Sequence, residues 1–410
     1  MNCLHLTILI PVILAAGSGS VQGRDVLEPS ELVYIGAFSL PVTEGDCGWD
    51  WGGDGMAYHP DGDPEGPDDG FPGSIFATGH DWYQMVSEIS IPVPVISSDP
   101  DELNRAVTLQ DFVDVRGSLF PEMEMPRAGL AVAGSPDGSG EPVLYFCWGQ
   151  HMQEGESGPA HGWVSTDLSR EPAGLWSVGG LPNYLTCDYM TPVPALWSRR
   201  VPGGDRIATG RFRDGGQGAC GPSLFVFDPA GMSDRAGSEL ETAVLLRYGD
   251  YTAPDSMKLP AYHHSDQWSG CAWATSAAGD AVIFAGTKGT GECWYGFENG
   301  VVWPEEPPYP PVPDYPFEQR GWWSSGFAAV LLFYDPMALQ LVAEGEMEPW
   351  EPEPCCQLCV DGLLYRQDGG GGAIQRLGAC CFDSAGGLLY VLEPRADGDR
   401  PVVHVWRVRG

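Results

Sequence analysis

The stretch GACCFDSAGGLLYVLEPRADGDRPVVHVWRV, residues 378–408, decides the fold prediction. It contains three short, mainly apolar runs at 378–382, 388–393 and 402–408. A tight turn at 384–387 separates the first two runs, and a polar loop separates the second from the third. Apolar runs of this length, bounded by Gly, Asp, Ser and Pro, are typical of antiparallel strands. The segment therefore predicts a unit of three consecutive strands.

The same three-strand plan recurs upstream, in units that begin near residues 55, 129, 191 and 269. After these units come single runs suited to an outermost strand, at 107–115, 174–180, 243–249 and 358–365. No such run follows the last unit, but 31–41 at the other end of the chain can supply it. We predict an all-β fold, a single five-bladed β-propeller closed by its N-terminal strand, because ring closure removes exposed sheet edges. The alternative is six blades, with the sixth hidden between 276 and 378.

The N-terminal segment 1–23 predicts a secretory signal peptide. Its apolar stretch is too short to span a bilayer and is followed by small residues. The alternative is a buried N-terminal segment. We assign 24–410 to the propeller domain and expect a secreted protein, extracellular or periplasmic. Within the domain, 293–323 is an insertion rich in Pro and Trp, which forms either a rigid loop packed on a blade or a rim over the channel mouth.

Charge excludes one class of partner. The chain has 410 residues, with 21 Lys and Arg against 56 Asp and Glu, a net charge of −35. Such a polyanion repels phosphate, so we expect neither nucleic acid nor a membrane surface as a partner. We expect a monomer whose ligand is an extracellular glycan or a small anionic molecule.

The cysteines favour an oxidising compartment. Twelve are present, and eleven remain if Cys3 leaves with the signal peptide. Disulfides between neighbouring strands are the favoured interpretation. The alternative is a metal site built from the cluster Cys355, Cys356 and Cys359 with Cys380 and Cys381.

Propeller geometry places two sets of loops on one face of the ring, which we call the mouth face. They are the loops between the second and third strands of each blade and the loops that lead into each innermost strand. Candidate catalytic residues in these loops are Asp54, Asp188, Asp266, His263 and His264. Candidate substrate-binding residues are His80, Asp81, His151, Arg127, Arg211, Arg213, Lys288, Trp294 and Arg376.

Three reaction classes could use this set. Glycoside hydrolysis needs two carboxylates beside the bond, and Asp54, Asp188 and Asp266 occupy equivalent places in three blades. A lyase step would use a histidine base, with Arg or Lys neutralising an acidic sugar. Metal-assisted hydrolysis would use His80, His151 or His263 with Asp266. The alternative to all three is that these polar residues simply pair with one another.

A further acidic run lies on the opposite face. HPDGDPEGPDDG, residues 59–70, carries carboxylates at short intervals, as calcium loops do. Calcium is therefore the one cofactor considered, with Asp61, Asp63, Asp68 and Asp69 as its ligands. The alternative is a solvated turn.

Four strings, YIGAFSLP, GMAYHPDGDP, SIFATGHDW and YHHSDQWSG, resemble a group of exported bacterial β-propeller proteins that carry no assigned activity. The five-bladed architecture is also similar to that of arabinanase-like and levansucrase-like glycosidases, without a match to their motifs. From the charged mouth face we expect a secreted propeller that acts on or binds an extracellular carbohydrate there, as a glycoside hydrolase or a polysaccharide lyase if it is an enzyme. The alternative is a non-catalytic binding or surface-structural propeller.

Overall fold

The computed structural model describes residues 25–43, 47–64, 66, 70–120, 126–150, 158–199, 206–211, 216–232, 236–366 and 375–409. Within them the chain forms five sheets of at least four strands, each a blade of one ring. The innermost strands of successive blades contact one another around the central axis. The predicted five-bladed propeller is confirmed. The predicted signal peptide lies outside the described residues.

The strands follow the blades in chain order. Strand β1 (Leu32–Ser39) belongs to the last blade. Blade 1 contains β2 (Met56–His59), β3 (Ser74–Thr78), β4 (Val86–Ser90) and β5 (Thr108–Val113). The short β6 (Pro126–Arg127) leads into blade 2, which contains β7 (Leu130–Gly134), β8 (Pro142–Cys147), β10 (His161–Ser165) and β11 (Ala173–Val178); β9 (Gly149–Gln150) pairs with β6.

Blade 3 contains β12 (Tyr189–Val193), β13 (Arg206–Gly210), β14 (Ser223–Phe227) and β16 (Thr242–Arg247), while β15 (Glu239–Leu240) pairs with β11 and extends blade 2. Blade 4 contains β17 (Gln267–Thr275), β18 (Asp280–Phe297), β19 (Arg320–Tyr334) and β20 (Cys356–Cys359). Blade 5 contains β21 (Cys380–Asp383), β22 (Leu388–Asp397) and β23 (Arg400–Val408).

The N-terminal strand closes the ring as predicted. β1 pairs antiparallel with β23, from Leu32 opposite Val408 to Ser39 opposite Val402. Blade 5 is therefore built from both ends of the described chain. The six-blade alternative is wrong, because the long gap before β21 contains the extended hairpin β18–β19 of blade 4 and not a sixth sheet.

Glycines let the innermost strands approach closely at the mouth face. A Cβ atom on Gly55 would lie 2.5 Å from the Ala128 carbonyl oxygen of the next blade. A Cβ on Gly129 would lie 2.8 Å from the Tyr189 backbone, and one on Gly378 would lie 2.2 Å from the Gly53 carbonyl oxygen. Main chain therefore packs against main chain there. Further along the axis lies a cavity of about 210 Å³, lined by residues such as Met56, Leu130, Met190, Trp273 and Thr191.

Helices are short. In blade 3, α1 (Ala195–Ser198) follows Pro194, directly after β12. In blade 4, α2 (Pro336–Ala343) follows β19, and the Asp335 side chain caps it by accepting from the Met337 N–H. Single turns of 3₁₀ helix occur at Pro29–Glu31, Pro100–Glu102, Asn183–Leu185, Asp255–Met257 and Asp361–Leu363. In the described part of the chain, no helix has the length and apolarity needed to cross a membrane.

The cysteines do not form the expected disulfides. Eleven cysteines lie in the described residues, and all eleven are free thiols. Cys147, Cys187, Cys220, Cys271, Cys380 and Cys381 are buried in the protein interior. Burial raises the pKa of the Cys380 thiol to about 12, so this side chain packs as a small apolar group.

Candidate functional site

Asp54 lies at the junction of blades 1 and 2, just before β2, and its carboxylate is already occupied. The side chain is buried, forms an ion pair with the Arg127 guanidinium and accepts a hydrogen bond of 2.7 Å from Gln84 Nε2. Gln84 was not predicted, although it lies in the same loop as His80 and Asp81. Both oxygens of Asp54 therefore have partners within the protein.

His80 and Asp81 lie beside this ion pair. The His80 Nδ1 atom is 3.1 Å from Asp81 Oδ1, and the Asp81 side chain is 48% exposed. Partial burial and the nearby Asp54 carboxylate raise the pKa of Asp81, against the opposing charges of His80, Arg127 and Arg395. Asp81 is the acid of this group that solvent can reach.

Asp266 precedes the innermost strand of blade 4 and is fully buried. Its carboxylate lies 2.9 Å from Lys288 Nζ and accepts backbone N–H bonds from Gly289 (2.8 Å) and His263 (3.1 Å). Burial raises the pKa of Asp266 to about 6, although the charge of Lys288 acts in the opposite direction. The carboxylate thus joins its own loop to β18, and it is fully buried.

The two histidines beside Asp266 have different partners. His263 Nδ1 lies 2.9 Å from Ser324 Oγ, which is 2.7 Å from Ser265 Oγ. Burial and the charge of Lys288 lower the pKa of His263, so its ring is neutral near pH 7. The His264 ring stacks on Trp322 with ring centroids 4.3 Å apart.

The other predicted residues of the mouth face are spread over the ring. Arg211 is buried, donates to the Asn183 carbonyl oxygen at 3.4 Å and lies over the Tyr184 ring. Asp188 is half-buried, and its backbone N–H donates to the Gly210 carbonyl oxygen. Arg376 is 9% exposed, and its Nε atom has no hydrogen-bond partner among the residues that the structure describes. His151 and Arg213 lie outside the described residues.

Aromatic rings on the hairpin β18–β19 form a group that we call the aromatic shelf, consisting of Tyr295, Trp303, Tyr309 and Trp322. Trp303 and Tyr309 stack with centroids 4.8 Å apart and planes 7° from parallel, and Tyr295 lies 5.4 Å from Trp322. The exposed Arg320 guanidinium lies 4.4 Å from the Trp303 centroid. Trp294 donates its indole N–H to the Phe297 carbonyl oxygen within the hairpin.

The shelf explains the insertion predicted at 293–323. Its two ends are the paired ends of β18 and β19, where Trp294 is opposite Trp323. The tip folds back, since Trp303 donates its backbone N–H to the Tyr295 carbonyl oxygen. This hairpin joins the second and third strands of its blade, which places it among the loops of the mouth face. Both interpretations of 293–323, a rim over the channel mouth and a rigid loop packed on a blade, stay predictions.

Arg395 of blade 5 and three aromatic residues in the loops of blade 1 were not among the predicted site residues. The Arg395 guanidinium lies 4.1 Å from the ring centroid of Trp51, which is 41% exposed. Trp82 and Tyr83 are also exposed on the adjacent loop. In the loops GWDWGG and GHDWY, aromatic residues stand next to aspartates in the sequence. The sequence prediction considered only the charged residues of these loops and therefore missed the aromatic ones.

The calcium prediction is not decided by the structure. Asp61 and Asp63 follow β2 on the face opposite the mouth, whereas Asp68 and Asp69 lie outside the described residues. Within the described ranges, no group of three or more His, Cys, Asp or Glu side chains is arranged to hold a metal ion.

Comparison with known proteins gives no family and no function for this chain. No protein-family model matches the chain, and no curated protein sequence matches it. Among solved structures, it is similar to one described as "Structure of Dos1 propeller", with 8% sequence identity and a TM-score of 0.28. The match covers 91% of this chain and 72% of the other. At this TM-score the likeness carries no argument about function.

The groups of the mouth face differ in accessibility. Two of the three candidate acids, Asp54 and Asp266, are buried in ion pairs. Among the described residues, Tyr309 and Arg320 are exposed, and the Asp81 side chain is 48% exposed. Planar rings with neighbouring polar groups can hold a ligand by stacking and hydrogen bonding.

Proposed function

We propose that this protein is a secreted, non-catalytic propeller that binds an extracellular carbohydrate on its mouth face. The aromatic shelf carries the proposal. A sugar ring presents an apolar face of C–H groups and a rim of hydroxyls, which matches a flat aromatic ring bordered by polar side chains. The shelf offers such rings, and Tyr309 is 51% exposed. His264 stacks on a face of Trp322, and Arg320 lies over a face of Trp303, so both polar groups border the stacked rings.

The state of the acids supports the non-catalytic part of the proposal. A glycosidase needs two carboxyl groups that both reach the scissile bond. Asp266 is enclosed by Lys288 and two backbone N–H groups, and Asp54 is bound by Arg127 and Gln84. Using either one would require breaking a buried ion pair, which costs several kcal/mol.

The cations favour an acidic sugar over a neutral one. Arg320 on the shelf and Arg395 on Trp51 both stack on rings, so a carboxylate on a stacked sugar could reach a guanidinium. Arg320 is exposed while the chain as a whole carries a charge of −35. Opposite charge at the contact would help such a ligand to overcome repulsion from the rest of the protein.

Binding to immobilised neutral and uronic-acid polysaccharides tests the proposal. We expect Trp322→Ala and Trp303→Ala to weaken binding at least tenfold, because each removes one stacking plane. Tyr251→Ala is the matched control, since this exposed aromatic lies in a mouth-face loop outside the shelf. Equal losses in the control and the shelf variants, or no binding to any polysaccharide of the panel, would contradict the proposal.

Glycoside hydrolysis is the second candidate, supported by Asp81. This acid is partly exposed, its pKa is raised, and its charge interacts with that of Asp54. A raised pKa suits a general acid. A reducing-sugar assay on the same polysaccharides separates the two functions. Turnover by the wild type that Asp81→Asn abolishes would favour hydrolysis, and binding without turnover favours the binding protein.

A further inference from the structure

Two adjacent cysteines, Cys355 and Cys356, lie at the start of β20, the outermost strand of blade 4. Neither belongs to the aromatic shelf. Cys355 is exposed and Cys356 is half-buried. Successive side chains of a regular strand point to opposite faces, which separates neighbouring thiols. Here Cys355 lies just before β20, where its N–H donates to the Phe333 carbonyl oxygen at 2.8 Å. The two sulfur atoms come within 3.6 Å of each other.

This separation matches a chelating pair of thiolates. Two sulfurs bound to one tetrahedral ion at about 2.3 Å each lie about 3.8 Å apart. The observed 3.6 Å is therefore close to the edge of a zinc–thiolate tetrahedron. The Cys355 thiol also donates to the Phe333 carbonyl oxygen at 3.1 Å, and this hydrogen bond is lost when the thiol releases its proton to bind the ion.

The surroundings of the pair favour a cation. The Asp335 carboxylate acts electrostatically on Cys355, and the Glu28 carboxylate acts on Cys356. Negative charge beside the pair attracts a positive ion to it.

Cys359 belongs to the same sequence cluster but not to the same pair. It lies at the far end of β20, where its thiol donates to Asp361 Oδ2 at 3.3 Å. No third His, Cys, Asp or Glu completes a cluster among the described residues. The site would thus use two sulfurs and leave its other positions to water.

We propose that Cys355 and Cys356 form a bidentate site for a soft, thiophilic divalent cation of the zinc and cadmium class. The two protons leave for solvent when the ion binds. The site is on the outer edge of blade 4, so it does not depend on the carbohydrate proposal. This site uses two of the five cysteines that the sequence analysis considered as metal ligands.

Cd²⁺ titration of the reduced full-length protein tests this site. The readouts are the ultraviolet charge-transfer band of cadmium–thiolate bonds and the calorimetric stoichiometry. We expect one Cd²⁺ whose binding weakens at least tenfold in Cys355→Ser and in Cys356→Ser. Cys359→Ser, which removes an exposed thiol of the same strand, should leave it unchanged.

Other outcomes overturn the proposal. They are a wild-type protein that binds no Cd²⁺, a Cys355→Ser variant that binds as the wild type does, or an equal loss in Cys359→Ser. Near-ultraviolet circular dichroism verifies that each variant is folded. If the half-buried Cys356 variant fails that check, the exposed Cys355 variant decides the result.

Discussion

The Asp266 carboxylate lies 2.9 Å from the Lys288 ammonium and has no solvent-exposed surface. Asp266 stands at the last turn before β17, and Lys288 projects from β18, the next strand of the same blade. The pair therefore fixes the loop that carries His263 and His264 against the base of the long hairpin. Asp266, a candidate catalytic residue by its position in the sequence, thus holds this loop of the mouth face in place.

Removing one member of this pair should destabilise the protein strongly. We expect Lys288→Met to lower the free energy of unfolding by about 3 kcal/mol, because it leaves a buried carboxylate without its counter-ion. The control is Lys258→Met, since the partner of Lys258 is Asp255, whose side chain is 99% exposed. Its loss should cost under about 1 kcal/mol. Urea unfolding measures both, and equal costs would contradict the anchoring role of Lys288.

Asp266 should also give the folded state a distinctive pH dependence. Its pKa is raised from 3.8 to about 6, so the folded protein holds a proton that the unfolded chain releases between these values. The stabilisation from this group is complete below pH 3.8 and is lost as the pH rises to 6, at most about 1.4 kcal/mol per pH unit.

The effect of Asp266 is obtained by subtracting the free energy of unfolding of Asp266→Asn from that of the wild type at each pH. His161 acts in the opposite direction, because burial lowers its pKa to about 3 and costs stability as the pH falls below 6.5. Both proteins share this contribution, so it cancels in the difference. Urea unfolding from pH 4 to 6.5 should show the wild type losing stability relative to the variant. A relative gain would mean that Lys288 keeps the carboxylate ionised throughout.

The close approach of blades 2 and 3 predicts a steric effect at Gly129. A Cβ there would lie 2.8 Å from the Tyr189 backbone and 2.9 Å from Cys147 Sγ, so Gly129→Ala should cost about 1–3 kcal/mol. Gly134→Ala is the matched control at the other end of the same strand, where a Cβ meets nothing within 4 Å. We expect the control to be neutral or slightly stabilising. Thermal unfolding that ranks the two variants equally would exclude this packing argument.

The blade order could be predicted because strand periodicity is a local property. Each three-strand unit carries its own apolar runs and turns, and the missing outer strand after Val408 identified the closing strand at Leu32–Ser39. The site could be predicted only as a set of loops. Asp54 forms an ion pair with Arg127, which leads into the next blade. Residue spacing within one blade does not predict such a contact between two blades. The expected disulfides failed for the same reason, since cysteine counts do not fix the distances between sulfur atoms.

Ring closure predicts that a side chain near the start of the chain stabilises the whole propeller. Phe38 of β1 is fully buried among residues of blades 5 and 1, including Leu392, Val403 and Ile75. Phe38→Ala should therefore cost about 3–5 kcal/mol. Val33→Ala is the control on the same strand, because Val33 is 39% exposed, and its cost should stay below about 1 kcal/mol.

Two probes distinguish closure from a local effect. Tryptophan fluorescence reports on several blades at once, and far-ultraviolet circular dichroism reports on all the strands. If β1 closes a cooperative ring, both signals of Phe38→Ala shift together to lower urea, because an opened blade 5 exposes sheet edges on either side. A separate early transition, with the remaining blades unfolding at the wild-type concentration, would show that β1 stabilises blade 5 alone.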